Sequence, residues 1–204
     1  MEPLTPERRR LQTRQHLLAA AAEVFTRRGF HEATLEQVAA AAGFTKGAVY
    51  SNFASKEDLF LALSEEHINE TLGRVRSMLG SSEVPPGDRL EDFVQVAVDS
   101  FELEKESIAL YLEFWLYALR HPEARQRLAA IDRVQVSAIE SMIDEERRRR
   151  GSEGPEDTAT VARLVVALFH GIGILGLIDP ASVDPEFMGA AVRLVDRGLA
   201  ADRP

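Results

Sequence analysis

Cysteine is absent from all 204 residues. That excludes disulfide scaffolds, thiolate zinc sites and cysteine nucleophiles. A cysteine-free chain suits a reducing compartment, and a cytoplasmic location is expected. Long apolar runs are also missing. The longest stretch without a charge is 164–178, 15 residues interrupted by Gly171, Gly173 and Gly176. A span needs about 20 residues, so no membrane partner is expected. Arg8, Arg9 and Arg10 have no apolar run behind them, which argues against a signal peptide. No H-E-x-x-H, G-x-x-x-x-G-K or G-x-S-x-G motif occurs, and no His has a Glu three residues before it. Zinc hydrolase, P-loop, hydrolase and helical di-iron chemistries therefore lack their residues. No catalytic residue, metal site or cofactor is expected.

What is present is ordinary for a folded chain. Apolar residues make up 45% and charged residues 28%, too apolar for a disordered chain. Charge is uneven. The net charge is −9, yet residues 1–57 carry 8 Lys+Arg against 6 Asp+Glu, and residues 58–204 carry 16 against 27. A mildly basic head on an acidic body suggests two jobs.

Helix punctuation is dense and no alternating strand pattern appears. Thr5-Pro6-Glu7 reads as a helix start, and Leu11, Leu18, Ala22 and Phe25 share one helical face. Gly29 stops that helix, with Phe30 folding back behind it. Thr34–Gln37 is a capping box, Gly43 ends the helix it opens, and Thr45 and Ser55 open two more. A long helix runs to about Leu79, followed by a loop over Gly80–Gly87. Further helices are expected from Arg89 to about Leu119, from Ala124 to Arg150, from Thr158 to Ile178, and from Asp184 to about Leu199. The expected fold is all-α, with about nine helices.

Thr34–Phe60 carries the sharpest signal. Two short helices meet at Gly43-Phe44-Thr45, the layout of a helix-turn-helix. Ala39–Ala42 allow close approach, and Val49 and Phe53 face inward with Val38, Leu59 and Phe60. Lys46–Phe53 spans about 12 Å at the helical rise, which fits a major groove about 12 Å wide. Lys46 can reach a guanine edge or a phosphate. Gly47 and Ala48 permit close approach, and Ala48 can touch a thymine methyl. Ser51 and Asn52 can bond base edges or phosphate. Thr34, Tyr50 and Lys56 are better placed as phosphate anchors.

This segment, Thr34–Leu59, resembles the DNA-binding signature of the TetR family of transcriptional regulators. The Leu17–Phe25 run, Gly29-Phe30 and Ala33-Thr34 resemble that family's first helix. The likeness is specific over about residues 10–60. It implies an N-terminal three-helix helix-turn-helix domain, here 1–56, and a helical effector-binding and dimerisation domain, here 57–204. It also implies a homodimer on a palindromic double-stranded DNA operator, acting as a repressor released by a small-molecule effector. DNA contacts carried over by position are Thr34, Thr45, Lys46, Gly47, Ala48, Tyr50, Ser51, Asn52 and Lys56.

An effector pocket would draw on Phe101, Tyr111, Phe114, Trp115, Tyr117 and Phe169, with His67, His121 and His170. Most of these are expected to be core. Tyr111, Trp115, Phe169 and His170 are the best candidates for lining. Gly171–Gly176 matches G-x-G-x-x-G, but Asp179-Pro180 ends the helix almost at once and no strands exist to host a dinucleotide. Those glycines better serve close helix packing or a pocket wall. This helix and Asp184–Leu199 are expected to form a four-helix bundle across a two-fold axis. Arg147–Arg150 reads as a solvated helix end favoured by the dipole, whereas Arg8–Arg10 can form a basic arm. The rival reading is an all-α binding protein whose helical corner docks a protein. A steep loss of affinity with salt would mark DNA instead.

Overall fold

A computed structural model describes residues 5–80, 108–151 and 156–199. Helices begin where side chains can satisfy the first free N–H groups. Thr5 caps α1 (Pro6–Glu32), its hydroxyl accepting from Arg8 N–H at 3.3 Å. Thr34 and Gln37 close a reciprocal capping box on α2 (Leu35–Ala42). Thr45 caps α3 (Lys46–Tyr50) by accepting from Ala48 N–H. At the head of α4 (Lys56–Gly80), Ser55 accepts from Asp58 N–H, and the Asp58 carboxylate accepts from Ala54 N–H.

The described part of α5 covers 108–120, and His121 separates it from α6 (Pro122–Arg150). Asp157 caps α7 (Thr158–Ile178). A 3-10 turn, Pro180–Ser182, leads to α8 (Pro185–Leu199), whose Asp184 accepts from Phe187 N–H. The described residues thus hold eight α-helices and one 3-10 turn, with no strand. Gly80, expected to open a loop, is the last residue of α4; the rest of that expected loop, 81–87, and the start of the helix expected from Arg89 lie outside the described residues, as does Phe101.

The backbone divides into two compact units. One comprises 1–67 with 110–128, the other 68–109 with 129–204. In the first, α1 does not simply stop at Gly29. It kinks there, with φ 73° and ψ 168°, a conformation essentially restricted to glycine. The kink turns Phe30 into an aromatic core with Phe25, Phe60 and Phe114, each almost fully buried. Phe60 stacks on Phe114 at 4.4 Å, and Phe30 meets Phe114 edge-on at 5.0 Å. Such pairs add about 0.5–1.5 kcal/mol each beyond their burial. Glu113 of α5 accepts from Phe30 N–H at 2.7 Å and lies where a Gly29 side chain would stand.

The second unit has two apolar clusters. Ile172, Val183, Met188, Ala191 and Val192 pack with Ile108, Leu168 and Phe169. Ile143, Val161 and Ala162 pack with Val136, Ile139, Val165 and Val195. A Cβ at Gly173 would lie 2.8 Å from Ile108 Cδ1, so the glycine leaves room for the end of that side chain. It sits inside α7, not in a phosphate-binding turn. Helix α7 is longer than the uncharged run suggested. At 21 residues with a mean hydropathy of 2.2, it has the length and composition to cross a membrane. The difference arises because Thr158–Arg163 continue the same helix at its start.

The arginine run also departs from expectation. Arg148 and Arg149 pair with Glu145 at the surface, but Arg147 is only 6% exposed. It lies four residues after buried Ile143, on the same helical face. Its Nη1 donates to Thr158 Oγ1, which in turn donates to Asp144 Oδ1. Its Nε and Nη2 have no hydrogen-bond partner among the described residues.

Gly29 and Gly43 provide an internal comparison. Gly43 has φ 71° and ψ 24°, and nothing lies within 4 Å of an added Cβ. Gly43→Ala should cost about 1 kcal/mol from left-handed strain alone. Gly29→Ala should cost about 2–3 kcal/mol, because the backbone is more restricted and the Glu113 bond is displaced. Urea unfolding of both variants measures the difference.

Candidate nucleic-acid interface

The α2–α3 corner is built from local rules. Gly43 adopts the left-handed conformation, and the N–H groups of Gly43 and Phe44 turn back to the carbonyls of Ala40 and Ala39. Thr45 then restarts the chain as α3. Five residues are too few to hold a helix alone, so α3 depends on what it buries. Val49 and Phe53 are completely or almost completely buried. Arg14 of α1 lays its guanidinium 4.4 Å over the Phe53 ring and donates to Asn52 O at 3.3 Å.

The opposite face of the corner is open. Thr34, Thr45, Lys46, Gly47, Tyr50 and Ser51 are exposed, and Ala48, Asn52 and Lys56 are half-buried. Thr34 and Thr45 both spend their hydroxyls as caps. Gly47 has nothing from the rest of the fold near it. An added Cβ would meet only Thr45 Oγ1, at 3.8 Å. Tyr50 keeps 49% of its surface in solvent, with the Lys46 ammonium 5.6 Å from its ring centroid.

Four further polar side chains are engaged internally, among them Ser51, whose hydroxyl donates to Ala48 O at 2.9 Å. Lys46 pairs with Glu36 of α2. This hydrogen-bonded contact raises the Lys46 ammonium and lowers the Glu36 carboxyl from their ordinary pKa values. Asn52 donates to Ala48 O at 2.8 Å and to Ser51 Oγ at 3.3 Å. Lys56 turns inward and donates to Phe30 O at 2.7 Å and His31 O at 2.9 Å, with the Phe30 ring 4.7 Å away. Burial lowers its pKa, partly offset by Glu57. The residues sequence reasoning missed are Arg14, Glu36 and Glu113. Each acts on a partner outside its own helix, so no local motif marks it.

The effector candidates fall in different units. Tyr111 and Trp115 are half-buried in the first. The Tyr111 ring centroid lies 6.0 Å from that of Phe60, and its hydroxyl donates to Ser64 O at 3.4 Å. Phe169 and His170 are half-buried in the second. Asp132, on α6, has a carboxyl raised by burial and partly lowered by the charge of His170. Phe114 is core, and the Tyr117 hydroxyl is committed to Glu57 at 2.8 Å.

Two stretches of the chain each match a known sequence family. Residues 17–63 match the model for bacterial regulatory proteins of the tetR family, and residues 86–201 match the C-terminal domain of BetI-type transcriptional repressors. The chain belongs to the TetR family. It is a transcription regulator with a helix-turn-helix domain at its N-terminal end.

Among its relatives, the HTH-type transcriptional regulator YdgC of Bacillus subtilis is 29% identical over 89% of this chain and 92% of its own. The HTH-type transcriptional activator FasR of Mycolicibacterium smegmatis is 34% identical over 50% of this chain, which spans 46% of that protein's length. The fatty acid degradation regulator FadR of Bacillus halodurans shares the fold. It has a TM-score of 0.70 and 18% identity, with 97% of this chain and 96% of that one covered.

Lys56 gives this site its structural test. Lys56→Met keeps the aliphatic stem but removes two donors from the last carbonyls of α1. Thermal or urea unfolding should show a loss of about 1–3 kcal/mol.

Proposed function

We propose that this TetR-family regulator is a homodimeric, ligand-responsive repressor that reads a palindromic operator and releases it when a small molecule binds. Residues 1–56 would read DNA, and residues 57–204 would bind the effector and form the dimer, in the cytoplasm. The supporting observation is the open face of α3. Gly47 has nothing of its own fold to accommodate, and its neighbours Lys46, Tyr50 and Ser51 are exposed. A helix start that bare lets the backbone approach an external base edge closely.

Thr34, Thr45, Lys46, Gly47, Ala48, Tyr50, Ser51, Asn52 and Lys56 form the proposed DNA contact set. Within it, Lys56 works mainly by fixing the end of α1, given its inward hydrogen bonds. Tyr111, Trp115, Phe169 and His170 remain the proposed effector contacts. Repression rather than activation follows the description of the matched C-terminal domain.

The dimer proposal rests on apolar surface. Leu164, Leu175 and Ile178 recur along one face of α7, and Phe187 and Leu194 along one face of α8, all exposed. Exposed apolar stripes on adjacent helices suit a two-fold helical bundle. Ile178→Glu should convert the dimer to a monomer, read by sedimentation velocity.

Selection of random duplex DNA by the purified protein tests the main reading. A palindrome should be enriched, and its half-site centres should lie near one helical turn, about 34–36 Å, or somewhat more apart. Lys46→Ala should change base preference, whereas Tyr50→Ala should weaken selected and random duplexes alike. If no duplex is enriched, with or without cell-extract small molecules, the operator reading fails.

A further inference from the structure

The contact between Glu36 and Lys46 gives the proposed reading face its own counter-charge. Glu36 stands in the first turn of α2, and Lys46 is the first residue of α3. The two side chains form an ion pair, and each is about half exposed to solvent. The carboxylate therefore occupies the ammonium of the side chain with the longest reach on α3. The Tyr50 ring centroid lies 5.6 Å from the same ammonium. The mutual pKa shifts of the pair have the same origin, since each partner favours the other's charged form.

An acid in the first turn of a helix has a ready local explanation, the helix dipole. That explanation does not require the acid to reach across the corner to the next helix. Nor does it suit a surface meant to meet polyphosphate, where a carboxylate repels the ligand. The arrangement has another use. An exposed ion pair is easily exchanged for better acceptors. A guanine edge offers O6 and N7 together. A lone phosphate offers a competing charge without that directed pair.

We propose that Glu36 is a specificity-setting residue that acts through Lys46. It holds the ammonium away from the phosphates of arbitrary DNA and yields it where a base edge supplies matched acceptors. This rests on the DNA-reading proposal above. Discrimination arises from lowered affinity for wrong sequences, a form of specificity distinct from tighter binding to the right one. In the random-sequence complex Lys46 stays paired with Glu36 and releases no counterion. Without Glu36, the same lysine is free to neutralise a phosphate.

The test compares wild type, Glu36→Gln, Lys46→Gln and the double variant. The probes are a selected duplex and a random-sequence duplex of the same length, titrated across a range of salt. Glu36→Gln should raise affinity for the random duplex about fivefold at low salt. It should also steepen the slope of log affinity against log salt by about 0.9 per protomer, the signature of one more neutralised phosphate. Affinity for the selected duplex should stay within about twofold, so discrimination falls. The double variant should lose the added slope, because no lysine remains to be freed.

A dipole-stabilising role would move the unfolding midpoint but leave the salt slope unchanged, and that result overturns the proposal. An equal gain in the Lys46→Gln background also overturns it, since Glu36 would then act by direct repulsion alone. If wild type binds no duplex under any salt condition, the DNA reading falls and this role with it. If wild type binds and Glu36→Gln behaves like it on both probes, only the Glu36 role falls.

Discussion

The hydrogen bond from Phe30 N–H to Glu113 holds the turn on which the first unit depends. Helix α1 reaches Gly29 and changes direction in a backbone conformation that other residues avoid. A freed N–H at such a break needs an acceptor, and Glu113 supplies it from 83 residues away. Once the turn is held, Phe30 enters the aromatic core and the carbonyls of Phe30 and His31 face Lys56. The same short stretch thus ties α1 to both α4 and α5. Coulombic and aromatic contributions converge on three consecutive residues.

From that anchor the reading corner is assembled by caps and burial. Helix α3 is too short to persist by propagation alone. Its position comes from Thr45 at its start, buried Val49 on its inner face, and Phe53 and Arg14 beyond its end. The buried side is apolar and closely packed. The open side is small and polar, and its Thr34, Thr45, Lys46, Ser51 and Asn52 side chains bond only to neighbouring groups of the same corner. This division lets a rigid scaffold present a surface whose few polar groups can change partners.

Sequence reasoning located what is encoded over short separations. The Thr34–Gln37 box, the Thr45 cap and the Gly43 corner each involve residues three to five apart, and the structure places them as expected. The inward set of Val38, Val49, Phe53, Leu59 and Phe60 followed from helical spacing, since those positions share faces. Asn52 was assigned to the outer face, but its amide folds back onto Ala48 O, a bond four residues back that shields part of its donor capacity. Lys56 was legible as a cation near the corner. Its direction was not, because its acceptors lie 25 and 26 residues earlier, exposed by a kink whose geometry no spacing rule gives. Arg147 shows the same limit. Charge composition marks a solvated run, whereas helix phase puts one of its members beneath the surface.

Gly173 and Ile108 meet where α5 packs on α7. The isoleucine methyl fills the space that a side chain on Gly173 would need. The two positions share a single volume between α5 and α7. An alanine at Gly173 requires Ile108 to swing its terminal methyl aside, because only that methyl comes too close while the rest of the isoleucine stays at contact distance. Two residues 65 apart in sequence are therefore energetically coupled: the cost of enlarging one depends on the rotamer open to the other.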